Sequence, residues 1–300
     1  MFFYKRKSFR LVFVLLCTSH AFFFLFSSCN IGFDNADNPH YLYFKTIDVK
    51  TKQQAEGAPS HKITELWIYA DGKLLGAFDK EKPIPVISNN DIVEINIFAG
   101  IRANGSKQDI QLYYLLKNIS FNLNYTEGRI DTMDAVFSYS ENANFVFIED
   151  FEIGNIFTED LDGDKNTGIS VTNTDPQSGL KCGSIILNKD HPSFYVTSSA
   201  AFFQLPLTGN YTFLELDYKC NADFIIGLTG KEPDTGKEYS SDIILLTRKD
   251  NWNKLYLDLT SILQNSALGL YKVYFKSQHD DTLEKTEISL DNIKLIYLKK

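Results

Sequence analysis

Ile63-Thr-Glu-Leu-Trp-Ile-Tyr-Ala-Asp-Gly-Lys-Leu-Leu-Gly-Ala-Phe78 reads as two apolar-rich runs on either side of Asp71-Gly72. Asp-Gly supplies the two positive φ angles of a type I′ turn, whose twist matches that of the strands it joins. Working outward, the same signature recurs: short runs with alternating side chains, punctuated by turn residues. Strands are expected at residues 83–87, 92–101, 111–123 and 135–139, and later at 146–152, 183–187, 193–197, 212–220, 224–229, 242–247, 254–259, 271–277 and 287–298. Amphipathic helices longer than about ten residues are missing, and only residues 260–265 suggest a helical turn, capped by Thr260. The 24 Phe and 16 Tyr, against two Trp and two Met, favour strands as well. The expected class is all-β, with two β-sandwich domains at 41–140 and 145–300 joined by a short linker, 140–144. Eight or more strands in the second domain suit a jelly roll.

The first 28 residues have a different physical logic. Lys5, Arg6, Lys7 and Arg10 precede an almost wholly apolar run from Leu11 to Phe26, interrupted by Thr18, Ser19 and His20. A basic segment followed by a short apolar one is the pattern of a secretory signal peptide, and the run is too short and interrupted for a bilayer span of about 20 residues. It ends in Leu25-Phe-Ser-Ser-Cys29, which resembles the lipobox of bacterial lipoproteins. That resemblance implies cleavage before Cys29, lipidation of its thiol and a membrane attachment through the acyl chains. Residues 29–40 are polar and aperiodic and read as a flexible tether. Asn30 carries no inner-membrane retention signal, so the outer membrane is the expected location, with the leaflet left open.

Removing residues 1–28, which hold four basic and no acidic side chains, takes the formal charge from −8 to −12. Phosphate backbones are bound by clustered Lys and Arg, so nucleic acid is not an expected partner. Beyond Cys17 and Cys29, only Cys182 and Cys220 remain. In an oxidising compartment they could form a disulfide, or both could be buried thiols behaving as small hydrophobes.

Ile68-Tyr-Ala-Asp-Gly-Lys-Leu-Leu-Gly76, Pro83-Ile-Pro-Val86 and Ile95-Asn-Ile97 resemble the PEGA-type module of bacterial surface proteins. This resemblance implies a structural or interaction role. In the second half, Glu149-Asp-Phe-Glu152, Ser178-Gly-Leu-Lys-Cys-Gly-Ser-Ile-Ile-Leu187, Leu214-Glu-Leu-Asp-Tyr-Lys219, Trp252-Asn-Lys-Leu-Tyr-Leu257 and Ile288-Ser-Leu-Asp-Asn-Ile-Lys-Leu295 resemble the galactose-binding-like jelly roll of carbohydrate-binding modules. With the lipoprotein signal, the chain resembles an uncharacterised family of Bacteroidota outer-membrane lipoproteins.

Catalytic residues are not evident, and no cofactor is required. His40, His61, His191 and His279 are scattered, without metal-binding spacing. No nucleophile elbow, phosphate loop or dinucleotide fingerprint appears. The carbohydrate-binding resemblance implies a structural calcium ion where first and last strands meet, with Glu149, Asp150, Glu152 and Asp291 as ligands. The other reading of those acids is an acidic edge or turn-capping side chains. Ile288 and Leu290 have one parity and Ile293, Leu295 and Tyr297 the other, so keeping both sets inward requires a bulge near Asp291-Asn292. Residues 161–168 hold Asp162, Asp164 and Asn166 at calcium-loop spacing but lack the bidentate Glu, which makes a solvated loop the better reading. If Leu255, Leu257 and Leu259 point inward, Trp252 and Tyr256 share the outward face and are the candidate ligand-binding residues.

The expected function is a non-catalytic, lipid-anchored envelope protein that binds glycan or another envelope component. The alternatives are an accessory subunit of a secretion or surface-motility complex, and a glycoside hydrolase whose two carboxylates would meet from distant strands.

Overall fold

The hairpin around Asp71-Gly72 forms as the sequence predicts. In the computed structural model both turn residues have positive φ, 47° and 75°. The structure describes residues 38–199, 203–207, 210–266 and 268–299. The expected signal peptide, the lipidation site Cys29 and nearly all of the tether lie outside the described residues.

In chain order the first half contains β1 (His40–Lys50), the single turn α1 (Gln53–Glu56), β2 (Glu65–Ala70), β3 (Lys73–Asp79), β4 (Ile84–Val86), β5 (Ile92–Arg102), β6 (Ile110–Leu112), β7 (Ile119–Asn124) and β8 (Ile130–Ser138). The second half contains β9 (Ala143–Glu149), β10 (Glu159–Asp160), β11 (Ser170–Thr172), β12 (Cys182–Leu187), β13 (Ser193–Thr197), β14 (Phe203–Gln204), β15 (Thr212–Cys220) and β16 (Phe224–Lys231). It closes with β17 (Glu238–Leu246), β18 (Lys249–Asp258), α2 (Thr260–Gln264), β19 (Leu270–Gln278) and β20 (Thr286–Leu298).

The first half is a sandwich of a three-stranded sheet, β4-β1-β8, on a five-stranded one in which β5 is flanked by β2 on one edge and by β6 and β7 on the other. β1 and β8 run parallel, although most of the fold is antiparallel. The expected strand over 111–123 is broken: after Leu112 the chain turns, Leu116 N–H donates to Tyr113 O, and Tyr113, Leu115 and Leu116 are buried. The five consecutive apolar residues 112–116 could not all face one side of a strand, so the segment turns and sends Tyr113, Leu115 and Leu116 into the core.

The second half is a jelly roll. One sheet is β11-β12-β20-β15-β18, with β9 also on β20; the other is β10-β13-β19-β16-β17, with β14 also on β19. The long β20 pairs with β12 through residues 286–290 and with β9 through 293–298. The bulge required by the change of parity lies between them: Asp217 faces Asp291 while Glu215 faces Lys294, and Asn292 adopts φ 49°. Leu255, Leu257 and Leu259 are buried in the core between the sheets, as their alternation requires. Thr260 does not cap α2. Its hydroxyl accepts from Thr212 N–H, and its own N–H donates to Asp258.

Residues 140–142 form a hydrogen-bonded turn, and residues 39–300 make one compact unit. The outer face of the sheet containing β15, β18 and β20 packs on the first sandwich. Phe213, Tyr256 and Ile296 belong to the first sandwich's hydrophobic cluster although they stand on jelly-roll strands. In the middle of this contact Glu215 accepts from the hydroxyls of Tyr113 and Tyr139, and Lys254 Nζ lies 3.1 Å from its carboxylate. Ser60 bridges Lys254 and Asp217 at 2.9 and 2.5 Å, and Lys294 Nζ donates to Ala58 O at 2.7 Å. Glu215, Asp217, Lys254 and Lys294 are all buried, two cations against two carboxylates.

Candidate functional site

Alternation fixes what the exposed sheet of the jelly roll presents. In β19, Tyr271, Val273 and Phe275 enter the core, so Lys272, Tyr274 and Lys276 lie on the other face. In β13, Phe194 and Val196 point inward and Tyr195 outward. Register then sets Tyr195, Lys276, Ile225 and Leu245 in one row across four strands, with Tyr274, Gly227 and Asp242 in the next.

Tyr274 is buried although it faces outward, because it lies flat across Gly227. A Cβ at residue 227 would come within 2.0 Å of the ring. Its hydroxyl donates to Asp242 at 2.5 Å, and Lys276 Nζ is 2.7 Å from the same carboxylate. Those two partners, Lys276 first, hold the Asp242 carboxyl below its ordinary range, while burial and then Asp242 push the Tyr274 phenol upward. The Tyr195 ring stands edge-on to Tyr274, centroids 5.1 Å apart. Tyr195 is thereby held by an aromatic neighbour on one side and leaves its other side to a cavity.

That cavity, of about 850 Å³, opens at the end of the sheet where β13 and β16 begin and β19 ends. Its lining is apolar at Leu161, Ile225 and Leu245 and polar at Asp162, Arg248, Lys276 and Gln278. An apolar floor with a few polar groups at the edge is the usual construction of a small-molecule site. Asp162 is notable because its Oδ2 is buried without a hydrogen-bond partner and burial raises its pKa. The arrangement can stack an apolar ring face and offer hydrogen bonds around it.

The residues expected to bind ligand lie elsewhere. Tyr256 is fully enclosed between the two sandwiches, where its hydroxyl accepts from Lys62 N–H at 3.0 Å. Trp252 is half-buried, its indole N–H bonded to Asp175 O and one ring face beneath Lys219 Nζ, 5.5 Å from the centroid. The parity reading was right, but the outward face of β18 is covered by protein. Tyr195 and Tyr274 are not among the residues expected from sequence, although the Lys-x-Tyr-x-Lys alternation in 272–276 marks an amphipathic outer face.

The four acids expected to hold calcium do not make a cation cage. Glu149 accepts from Phe151 and Ile156 N–H, Asp150 from Glu152 N–H, and Glu152 from Leu180 and Lys181 N–H. Asp291 Oδ2 accepts from Gln177 and Ser178 N–H, and its Oδ1 from Asn292 N–H. Oxygens aimed at N–H donors do not fit a cation. Among the described residues, no group of three or more His, Cys, Asp or Glu is placed to hold a metal ion. These side chains act as turn caps. Likewise Asp162 and Asp164 cap successive turns, and Asp164 faces His191 at 2.8 Å.

Cys182 and Cys220 are free and buried, not bonded to each other. Their strands are separated by β20, which alone puts the two strands about 10 Å apart, beyond the roughly 7 Å Cα limit of a disulfide. Burial raises both thiols, that of Cys182 to about 11.

No protein-family model matches the chain, and no curated protein matches it. Solved structures do. The xylan-binding domain CBM22-1 of Paenibacillus barcinonensis Xyn10C is 12% identical with a TM-score of 0.35, over 54% of this chain and 99% of that one. The family 30 carbohydrate-binding module of a Clostridium thermocellum cellulosomal cellulase is 16% identical with a TM-score of 0.34, over 51% and 96%. A carbohydrate-binding module of the β-sandwich superfamily, described as promiscuous in specificity, is 14% identical with a TM-score of 0.37, over 77% and 84%.

Proposed function

We propose that this chain is a non-catalytic glycan-binding protein of the bacterial envelope, held to the outer membrane by lipid on Cys29, whose jelly roll takes sugar in the cavity beside Tyr195. The observation that carries the reading is the Tyr195 ring, braced by Tyr274, in a cavity lined by apolar Ile225 and Leu245 and by polar Lys276, Gln278 and Arg248. A pyranose has an apolar C–H face and a periphery of hydroxyls that both donate and accept. An immobilised aromatic ring with mixed donors and acceptors around it matches both. Glu215 and Asp217 offer no hydrolytic pair, since they stand on one strand, buried under the first sandwich with Tyr113, Tyr139 and Ser60 on their lone pairs.

The test is affinity electrophoresis of the purified chain through gels containing xylan, laminarin, lichenan or mannan. Retardation on at least one is expected, weakened tenfold or more in Kd by Tyr195→Ala and unchanged by Trp252→Phe. Equal retardation of Tyr195→Ala and the unaltered chain would remove the cavity from consideration. The anchor is tested separately: palmitate should label the chain in cells, and Cys29→Ser should abolish the label.

A further inference from the structure

The outer face of the five-stranded sheet in the first sandwich is as aromatic as the jelly-roll face. Leu66, Ile68 and Ala70 of β2 and Ile95, Ile97 and Ala99 of β5 fill the core. Their alternates, Trp67 and Tyr69 beside Phe98 and Asn96, therefore stand on the other side. Tyr69 and Phe98 meet edge to face at 5.4 Å. A second pair adjoins them: Tyr114 and Tyr211 stack with centroids 4.7 Å apart and planes 27° from parallel, each 38% exposed. Between these pairs is a groove of about 300 Å³ lined by Tyr69, Gly72, Asn96, Phe98, Leu112 and Tyr114. Gly72 leaves its mouth open, since nothing lies within 4 Å of where a Cβ would be.

One side of the groove is polar. Asn118 Nδ2 donates to Asn96 Oδ1 and to Ser120 Oγ, Ser120 donates to Asn96 Oδ1, and Asn96 Nδ2 donates to Glu94. Asn96 lines the groove, and the neighbouring groups fix its amide beside the aromatic rings. No charged side chain lines the groove itself, so nothing there favours an anion. The pairing of preset rings with uncharged amides is complementary to a neutral ring that is apolar on its face and hydroxylated at its rim.

We infer that this groove is a second carbohydrate-binding site, which takes a neutral pyranose stacked on Tyr114 with its hydroxyls toward Asn96, whose amide Asn118 holds in place. It stands on different residues from the Tyr195 cavity and does not require that cavity to bind. Because both sites belong to one compact unit, a polysaccharide engaging both would be held by avidity, with no new contact needed.

The experiment uses the full chain in the same gels of xylan, laminarin, lichenan and mannan, with Tyr114→Ala, Tyr114→Phe, Tyr195→Ala and the double alanine variant. Tyr114 is partly exposed, so its alanine variant should fold, and an unchanged thermal midpoint checks this. The expected result is a tenfold or greater weakening with Tyr114→Ala, little change with Tyr114→Phe, and complete loss only in the double variant. If Tyr114→Ala binds as the unaltered chain does while Tyr195→Ala fails, the groove is wrong and the jelly-roll site stands. If Tyr114→Ala alone abolishes retention and Tyr195→Ala does nothing, the groove stands and the jelly-roll reading falls. No retention of the unaltered chain in any gel overturns both.

Discussion

At the scale of single residues, the buried charges between the sandwiches decide most. Glu215 and Lys254 are each almost completely inaccessible and face each other at 3.1 Å. Removing one member of such a pair leaves the other charge uncompensated, at a cost of about 3–5 kcal/mol. Glu215→Ala should therefore lower stability by about that much, and Glu215→Ala with Lys254→Met by less than the sum of the two changes. Urea titrations of the four species give the coupling directly. Asp291 supplies a pH signature. Burial lifts its carboxyl from 3.8 to about 7, against the pull of three backbone N–H bonds. A carboxyl that holds its proton more tightly when folded contributes stability that is complete below its unfolded pKa and lost as pH rises through the folded one. Stability should thus decline between about pH 4 and pH 7, and Asp291→Asn should flatten that decline, measured as the urea midpoint against pH. Lys294 acts in another window: burial lowers it from 10.5 to about 8. Its penalty is complete below pH 8 and is relieved toward pH 10.5, so stability should rise there, and Lys294→Met should remove the rise.

At the scale of elements, Gly227 illustrates how one strand shapes its neighbour. Tyr274 can lie flat only because β16 has no side chain at that point. Gly227→Ala should displace the ring and destabilise by about 1–3 kcal/mol, the usual range for overpacking. It should also weaken polysaccharide retention, because Tyr274 is the wall against which Tyr195 rests. Thermal melts and affinity gels on this one variant read both effects. Alternation made such strands legible from sequence: Leu255, Leu257 and Leu259 point inward as read, and the parity change in β20 correctly required a bulge at Asp291-Asn292. What alternation cannot say is whether an outward face meets water or protein. Alternation therefore points Tyr256 outward like a ligand platform and does not show Glu215 and Asp217 as an internal ion cluster, because their cover comes from residues more than 70 positions away. The carboxylates near the strand crossing were visible as a group, but only backbone geometry reveals that their oxygens are taken by N–H donors. For Tyr195 the converse holds: one outward aromatic in a five-residue strand carries no signal until register sets it beside Tyr274 and Lys276.

At the scale of the whole molecule, the question is whether two sandwiches behave as two folding units. Each has its own hydrophobic cluster, which argues for independence. Against this, Phe213, Tyr256 and Ile296 of the jelly roll are buried in the first cluster. Separating the halves would expose those three together with four buried charges, a cost neither half can meet alone. The physical expectation is one cooperative transition. The sequence provides the means to see it, since its two tryptophans fall one in each sandwich, Trp67 on β2 and Trp252 on β18. With Trp252→Phe, fluorescence reports the first sandwich; with Trp67→Phe, it reports the jelly roll. Measured on these two variants in urea, and corrected for each variant's own stability by circular dichroism, the fluorescence and dichroism midpoints should coincide in both. Adding Glu215→Ala should shift all the midpoints downward together. A jelly-roll tryptophan that reports a midpoint of its own, unmoved by Glu215→Ala, would mean that the charged layer joins two independent domains, and that the two proposed sugar sites are not rigidly linked.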